Sequence, residues 1–179
     1  MKMNNILLIS EDYVKSNSTV NDNLFGKTLL PSIREAQEMG LQPIIGETLY
    51  RTLLDKVVDG SLKTDDDYRM LLEDYIQPYL LYQTITNMIP LTNFKNANIG
   101  TVVSNDEHVQ NMSQGNIDLV GNHFQIRADF YCRRMQEYLL NNKDLYDLDE
   151  CTCNGIKANL NSAASTGLWL GGLRGRRLS

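Results

Sequence analysis

The chain has 179 residues, a net charge of −5, 42% hydrophobic residues and 22% charged residues. This length and composition predict one folded domain with a single core, and they exclude a chain that is disordered throughout. No apolar run approaches the about 20 residues needed to cross a bilayer, so we expect a soluble protein that is not exported and has no membrane partner.

The charge is unevenly distributed along the chain. Residues 156 to 179 contain Lys157, Arg174, Arg176 and Arg177 and no acid, so this end carries +4 and residues 1 to 155 carry −9. An acidic body is not expected to bind nucleic acid by neutralising phosphates. The basic end favours an acidic partner, which could be a copy of the same protein.

Residue types that hold metals or carry catalysis are present without a recognisable motif. Cys151 and Cys153 are too few for a structural zinc site, which needs four ligands, and His108 and His123 are distant in sequence. Cys132 falls in a helical pattern that predicts a buried thiol. We expect reduced thiols, a structural His123, and neither a catalytic residue nor a metal or cofactor.

Serine and aspartate mark the starts of two predicted helices. Residues 6 to 9 form a short extended segment in this prediction, and Ser10 is suited to cap the helical turn that follows it. The run Asp65, Asp66 and Asp67 could be mistaken for a metal site. Carboxylates at a helix N-terminus cap free amides and favour the positive end of the helix dipole, so we predict a capping role for this run.

The stretch from Leu29 to Tyr50 predicts a helix, an elbow and a second helix. Gly40 is suited to the left-handed position after a helix, and Pro43 cannot donate the next backbone hydrogen bond, so the first helix should end at Gly40. A second helical pattern begins at Glu47. The residues that we expect to face inward are Leu29, Ile33, Ala36, Leu49, Leu53 and Val57.

A long, broadly apolar helix is predicted from Tyr68 to Ile89. Pro78 should bend this helix near Asp74, because proline removes the hydrogen bond to the carbonyl four residues earlier. Its tyrosines are more typical of core and interface packing than of a binding platform. They are Tyr68, Tyr75, Tyr79 and Tyr82.

A β-hairpin is predicted over about residues 99 to 112, where residues 99 to 104 would pair with residues 107 to 112 across a tight turn. A ribbon of two strands is marginal alone in water, so it should lie on the helices, contact an adjacent copy or line a channel. The residues that we expect to face the channel or the neighbour are Val102, Val103, Asn105, Asp106 and Glu107.

The last major helix is predicted from Gly115 to Asn142, after which the helical period is lost. The buried stripe of this helix should consist of Leu119, Phe124, Ala128, Tyr131, Met135 and Tyr138. Residues 1 to 150 therefore form a mainly α-helical body, a bundle with the hairpin inserted, and residues 151 to 179 form an extended C-terminal arm. The arm residues expected to contact another molecule are Leu168, Trp169, Leu170, Arg174, Arg176 and Arg177.

Four phrases of this sequence resemble the head-tail connector proteins of tailed bacteriophages, also called adaptor or head-completion proteins, especially those of Bacteroidetes phages. The phrases are LLISEDYVKSNSTVNDNL (residues 7 to 24), LLPSIREAQEMGLQPIIGETLY (29 to 50), YIQPYLLYQTITNMIP (75 to 90) and RADFYCRRMQEYLLNN (127 to 142).

The resemblance implies a non-enzymatic virion protein that needs no cofactor. Such a subunit assembles into a ring, commonly dodecameric, beneath the portal protein at the head-tail interface, after synthesis in the host cytoplasm. The ring extends the DNA channel and offers a docking surface to the tail or to further connector proteins. DNA passes without specific binding, and an acidic wall suits that passage because it repels phosphate.

Two other function classes stay open at this point. A nucleic-acid-binding packaging protein, such as a terminase small subunit, would need a basic helix face, and the local concentration of positive charge is Arg127, Arg133 and Arg134. An enzyme would have to use His108 or His123 with the aspartates or cysteines.

Overall fold

The computed structural model describes residues 6–18, 26–92, 94–97, 100–103, 114–146, 148 and 155–160. This part of the chain is mainly α-helical, as predicted. None of its helices combines the length and the apolar character that crossing a bilayer requires. The helices are α1 Glu11–Asn17, α2 Gly26–Glu35, α3 Gln42–Ile45, α4 Glu47–Asp59, α5 Asp66–Met70, α6 Gln77–Thr92 and α7 Gln114–Asn141.

Two π-helical turns, Ala36–Leu41 and Leu71–Ile76, connect α2 to α3 and α5 to α6. A Gln-Pro pair follows each turn directly, and the backbone N–H of that glutamine donates to the carbonyl five residues earlier. Proline has no N–H to satisfy the carbonyl four residues before it, and a widened turn accommodates this loss. At Asp74, where the sequence predicts a bend, the structure has a π-helical turn.

The prediction that the first helix ends at Gly40 is wrong. Gly40 lies inside the first π-helical turn, and the chain stays helical as far as Ile45. A Cβ atom at Gly40 would approach Tyr79 Oη to 2.8 Å, so glycine here permits close packing. The elbow instead lies at Gly46, whose φ of 84° and ψ of 161° suit glycine.

Two helix caps confirm the predictions from the sequence. Ser10 Oγ accepts a hydrogen bond of 3.0 Å from the N–H of Tyr13. Asp65 Oδ1 accepts from the N–H of Tyr68 at 3.4 Å, and Asp65 Oδ2 accepts from Lys56 Nζ at 2.7 Å. The Lys56 ammonium lowers the pKa of the Asp65 carboxyl, so this contact joins the end of α4 to the start of α5.

A buried glutamine, Gln37, fixes the N-terminal segment to the helices. Its Oε1 accepts from the N–H of Leu8 at 2.9 Å, and its Nε2 donates to Ile6 O at 3.0 Å and to Tyr50 Oη at 2.9 Å. The π-helical turn carries this side chain, so one amide satisfies backbone groups of the extended segment and the hydroxyl of α4. A polar residue this deep in the core is stable because its hydrogen bonds are made.

The core lies between the helical rod α2–α3, the second π-helical turn, α4, α6 and α7. The inward-facing residues predicted for the first two helices are buried, except that Val57 is half-buried. The largest fully buried side chains include Leu29, Ile33, Leu41, Ile45, Leu49, Leu53, Leu71, Ile76, Leu80, Met135 and Leu139.

A two-stranded antiparallel ribbon lies between α6 and α7, but its pairing differs from the prediction. Strand β1 (Phe94–Ala97) pairs with β2 (Gly100–Val103), and Ala97 is opposite Gly100. The predicted hairpin over residues 99 to 112 is therefore not supported. The asparagine-rich segment before residue 99 supplies the observed partner strand, and the predicted partner, residues 107 to 112, lies outside the described residues.

Candidate functional site

Helix α7 has a buried face and, opposite to it, an exposed apolar face. Ala128, Met135 and Leu139 are fully buried against the rest of the fold. Leu119, Ile126 and Phe130 are 71%, 68% and 56% exposed. Ala128 confirms its predicted place in the core, whereas the prediction for Leu119 is wrong, because a helix advances about 100° per residue and Leu119 falls on the opposite side.

The outer face of α7, as we name it, consists of residues that are all exposed and whose spacing alternates between four and three. An alternation of this kind places every member along one line that a second helix can follow. Four members are apolar and three are polar or charged. They are Leu119, His123, Ile126, Phe130, Arg133, Glu137 and Leu140.

One flank of α7 stacks its aromatic rings on tyrosines of α6 and of the π-helical turn that precedes α6. Tyr138 stacks on Tyr75 with ring centroids 4.1 Å apart, and Tyr131 stacks on Tyr82 at 5.4 Å. These pairs run in opposite directions along the two helices, so α6 and α7 are antiparallel. The packing role predicted for the tyrosines of the long helix is confirmed at these positions.

The basic residues of α7 do not share one face. The Arg127 guanidinium lies 5.7 Å from the centroid of the Tyr82 ring, and that of Arg134 lies 4.9 Å from the Tyr75 ring. Arg133 is turned about 100° away from Arg134 and lies on the outer face. Its Nε donates to the carbonyl of Asp129 at 3.4 Å. Two of the three guanidiniums are thus engaged with aromatic rings.

On the other flank of α7, residues 155 to 160 form an extended segment, the strap, that packs on the elbow. The N–H of Glu47 donates to Ile156 O at 2.8 Å, and the N–H of Asn159 donates to Ile44 O at 2.9 Å. Gln136 Nε2 of α7 donates to Asn159 O at 2.9 Å. The strap therefore links the elbow to α7, and the described part of the C-terminal arm lies on the body.

Glycine is required at the elbow because the strap approaches the backbone there. A Cβ atom at Gly46 would lie 2.8 Å from the backbone nitrogen of Ala158. Next to Gly46, the Glu47 carboxylate accepts hydrogen bonds from Gln42 Nε2 and from Arg51 Nε. Conformation and close approach thus both select glycine at this position.

The remaining residues predicted to make contacts lie largely outside the described residues. Val102 and Val103 belong to β2. The three other hairpin residues, Asn105, Asp106 and Glu107, are outside the described part, and so are all six predicted contact residues of the arm, from Leu168 to Arg177.

The ionisable groups around α7 point to packing. Burial, and next the nearby Asp129 carboxylate, raise the pKa of the half-buried Cys132 thiol to about 11. His123 is exposed on the outer face, and its ring packs edge-on against Phe124. Its position is therefore on the surface of α7 and outside the core. Within the described ranges, no group of three His, Cys, Asp or Glu side chains could hold a metal ion.

Sequence reasoning missed the outer face of α7 and the strap. The signal for the outer face was present, since Ile126 and Phe130 follow Leu119 by seven and eleven residues and do not fit the stripe through Ala128 and Met135. The strap carried no such signal, because six residues without a period do not reveal which backbone they will contact.

Comparison with known proteins adds a family but no function. No curated protein and no solved structure matches the chain. A family model, described as a family of unknown function (DUF6712), matches residues 41–159. The match runs from the end of the first π-helical turn to the strap residue Asn159, which bonds to the elbow. Because it covers more than half of the 179 residues, the chain belongs to this family of unknown function, DUF6712.

Proposed function

We propose that this chain is a structural virion protein, a connector subunit that forms a ring beneath the portal, extends the DNA channel and provides the surface to which the tail attaches. The observation that carries the proposal is the outer face of α7, whose apolar side chains stay exposed in the described part of one subunit. Ile126 and Phe130 adjoin on this face, and adjoining exposed apolar side chains favour an interaction site. Covering Leu119, Ile126 and Phe130 with another surface would contribute up to about 1.5–3 kcal/mol for each side chain.

The charge distribution supports the same proposal. Residues 1 to 155 carry −9, and the described acids from Asp55 to Asp74 are mostly exposed. A wall with this charge repels phosphate, so DNA can slide through a channel without being held. In this proposal the β1–β2 ribbon faces the channel or the adjacent copy, and Val102 and Val103 are its contact residues.

The basic arm is the proposed means of holding a neighbour. Leu168, Trp169 and Leu170 would bind a groove on the next subunit or on the portal, and Arg174, Arg176 and Arg177 would face its acidic body. The strap ends at residue 160, where the Asn159 carbonyl is hydrogen-bonded to α7. The strap is therefore held on the body, and in this proposal residues 161–179 reach from it to the neighbour.

A DNA-reading function is less well supported by the arrangement of the arginines. Arg127 and Arg134 lie over tyrosine rings, and Arg133 points elsewhere. A helix that binds phosphates along its length needs its cations on one side. Binding of the body to duplex DNA that weakens steeply with salt would favour the packaging-protein alternative.

Negative-stain microscopy of the purified chain mixed with its portal protein tests the proposal. We expect rings stacked on portal, in a fixed ratio to portal subunits. Chains that never associate with portal, as monomers or as rings, would contradict the connector function. The free chain need not form rings alone, so the mixture with portal is the decisive sample.

Two truncations separate the arm from the strap. Removing residues 161–179 should leave the free energy of unfolding within about 0.5 kcal/mol of wild type but weaken assembly on portal. Removing residues 156–179 should also destabilise the fold by about 1–3 kcal/mol, because the three strap hydrogen bonds to the elbow and α7 are lost. Unchanged assembly after the shorter deletion would refute the role of the arm.

A further inference from the structure

The outer face of α7 contains a stretch that is symmetric about the level of residue 135. Arg133 and Glu137 lie two residues to either side of this level, and both are exposed. Phe130 and Leu140 lie five residues to either side, and both are exposed apolar residues. A half-turn about an axis at this level would exchange a cation with an anion and one apolar side chain with another.

The match spans these two pairs. The half-turn relates Ile126 to Asp144, nine residues after residue 135, so Ile126 lies outside the symmetric stretch. Two consecutive pairs are therefore matched in chemistry, which is the property of a surface that can bind a copy of itself.

We infer that the outer face of α7 binds the same face of a second copy, with the two helices antiparallel. The alternation of four and three along the face is the spacing of a helix that packs on another helix. In this pairing Arg133 lies opposite Glu137 of the second copy, and Phe130 packs on Leu140 of the second copy. The twofold axis repeats both contacts.

Charge selects the antiparallel orientation over the parallel one. In a parallel pair with the two helices in register, Arg133 would face Arg133 of the second copy, and Glu137 would face Glu137 of the second copy. Like charges at the seam between two helices are unfavourable, and opposite charges fix orientation and register. In the described part of the chain neither side chain belongs to an ion pair within one subunit, so both can pair across the seam.

This inference goes beyond the proposed ring. A ring repeats one contact between two different surfaces, whereas this pairing joins two identical surfaces and closes at two copies. The pair uses the same face that we propose for the ring, so it must open before the ring forms. It concerns the free chain in solution, and it would hold for a protein of another function. Its partner is a second copy of this chain, through the residues from Phe130 to Leu140.

Sedimentation equilibrium of the full-length chain with charge-reversal variants tests the pairing. We expect the wild type to form a pair, and Arg133→Glu and Glu137→Arg each to raise the dissociation constant by about tenfold or more. The double variant Arg133→Glu/Glu137→Arg restores opposite charges across the antiparallel seam, so its dissociation constant should return to within about threefold of wild type. An equimolar mixture of the two single variants should also pair.

Lys63→Glu and Glu73→Arg are the matched controls, because both side chains are exposed and neither belongs to the outer face of α7. They should leave the dissociation constant unchanged. A wild-type chain that stays single at all concentrations, single variants that pair as well as wild type, or a double variant that remains as weak as the single ones would overturn the inference.

Binding to portal by the same variants separates this inference from the proposed function. Variants that lose pairing but still assemble on portal support both proposals. A wild type that assembles on portal without ever pairing in solution overturns the inference alone.

Discussion

Both faces of α7 carry apolar side chains, but one face is buried and the other is exposed. The inner face buries Ala128, Met135 and Leu139 completely, whereas the outer face leaves Leu119, Ile126 and Phe130 more than half exposed. Burial of the inner face contributes to the folding of one chain, and in our proposal the outer face is buried by another subunit. On this proposal the apolar content of α7 serves association as well as folding.

The flanks of α7 connect these faces to the rest of the molecule in different ways. One flank stacks tyrosines on α6, and the other holds the strap through Gln136. Both flanks are occupied within one subunit. Among the described residues, the outer face is the side of α7 whose side chains stay exposed, and we propose that further protein binds there.

The largest effect should come from the inner face. Met135→Ala should lower the free energy of unfolding by about 2–5 kcal/mol, because it leaves a cavity at a fully buried site. The matched change on the outer face, Ile126→Ala, should alter it by less than about 0.5 kcal/mol. Urea unfolding at a concentration where the chain is single measures both. Equal losses would contradict the division of α7 into two faces.

The next largest loss of stability is expected at the elbow, where the strap packs on Gly46. Gly60→Ala serves as the comparison that isolates backbone strain. Gly60 has a φ of 72°, and within the described residues the new methyl group would meet no atom closer than 4 Å, so this change should cost about 1–2 kcal/mol. Gly46→Ala should cost more, because its methyl group also meets the Ala158 backbone.

Thermal or urea unfolding of these two glycine variants compares the two costs directly. The difference between them estimates how tightly the strap is held against Gly46. If both variants lose the same amount, the strap does not press on the elbow, and the close approach of Ala158 has no energetic consequence.

The smallest effect is a change in reactivity that leaves stability intact. Because burial raises the pKa of the Cys132 thiol to about 11, its alkylation by iodoacetamide should accelerate about tenfold per pH unit until the pH reaches that value. A Cys151→Ser/Cys153→Ser background removes the other two thiols. An alkylation rate that levels off near pH 9, the ordinary pKa of a thiol, would show that the Cys132 thiol is open to water.

The sequence was sufficient for features that depend on local chemistry. Ser10 and Asp65 cap their helices as expected, because a side-chain oxygen just before a helix can accept from a free backbone N–H of the first turn. The buried stripe Leu29, Ile33 and Ala36 also follows from helical spacing alone. These features are set by residues within one or two turns of each other.

The features that the sequence did not reveal depend on distant contacts. Gly40 and Gly46 both resemble helix stops, and the choice between them depends on Tyr79, which packs on Gly40, and on Ala158, which packs on Gly46. The partner of β2 was ambiguous because Gly100–Val103 is flanked on both sides by short polar segments. Leu119 was predicted to be buried but lies on the outer face. Helix α7 carries apolar residues on two opposite sides, so the spacing alone did not show to which side Leu119 belongs.

The mass of the chain in solution across a range of concentrations tests the central claim, that the outer face of α7 is a surface for another subunit. We predict that the wild type exceeds the mass of one chain as concentration rises, and that Ile126→Ser/Phe130→Ser remains single with an unchanged unfolding midpoint. Met39→Ser, which changes an exposed apolar residue away from α7, should behave as wild type. An Ile126→Ser/Phe130→Ser variant that associates as well as wild type would contradict the account.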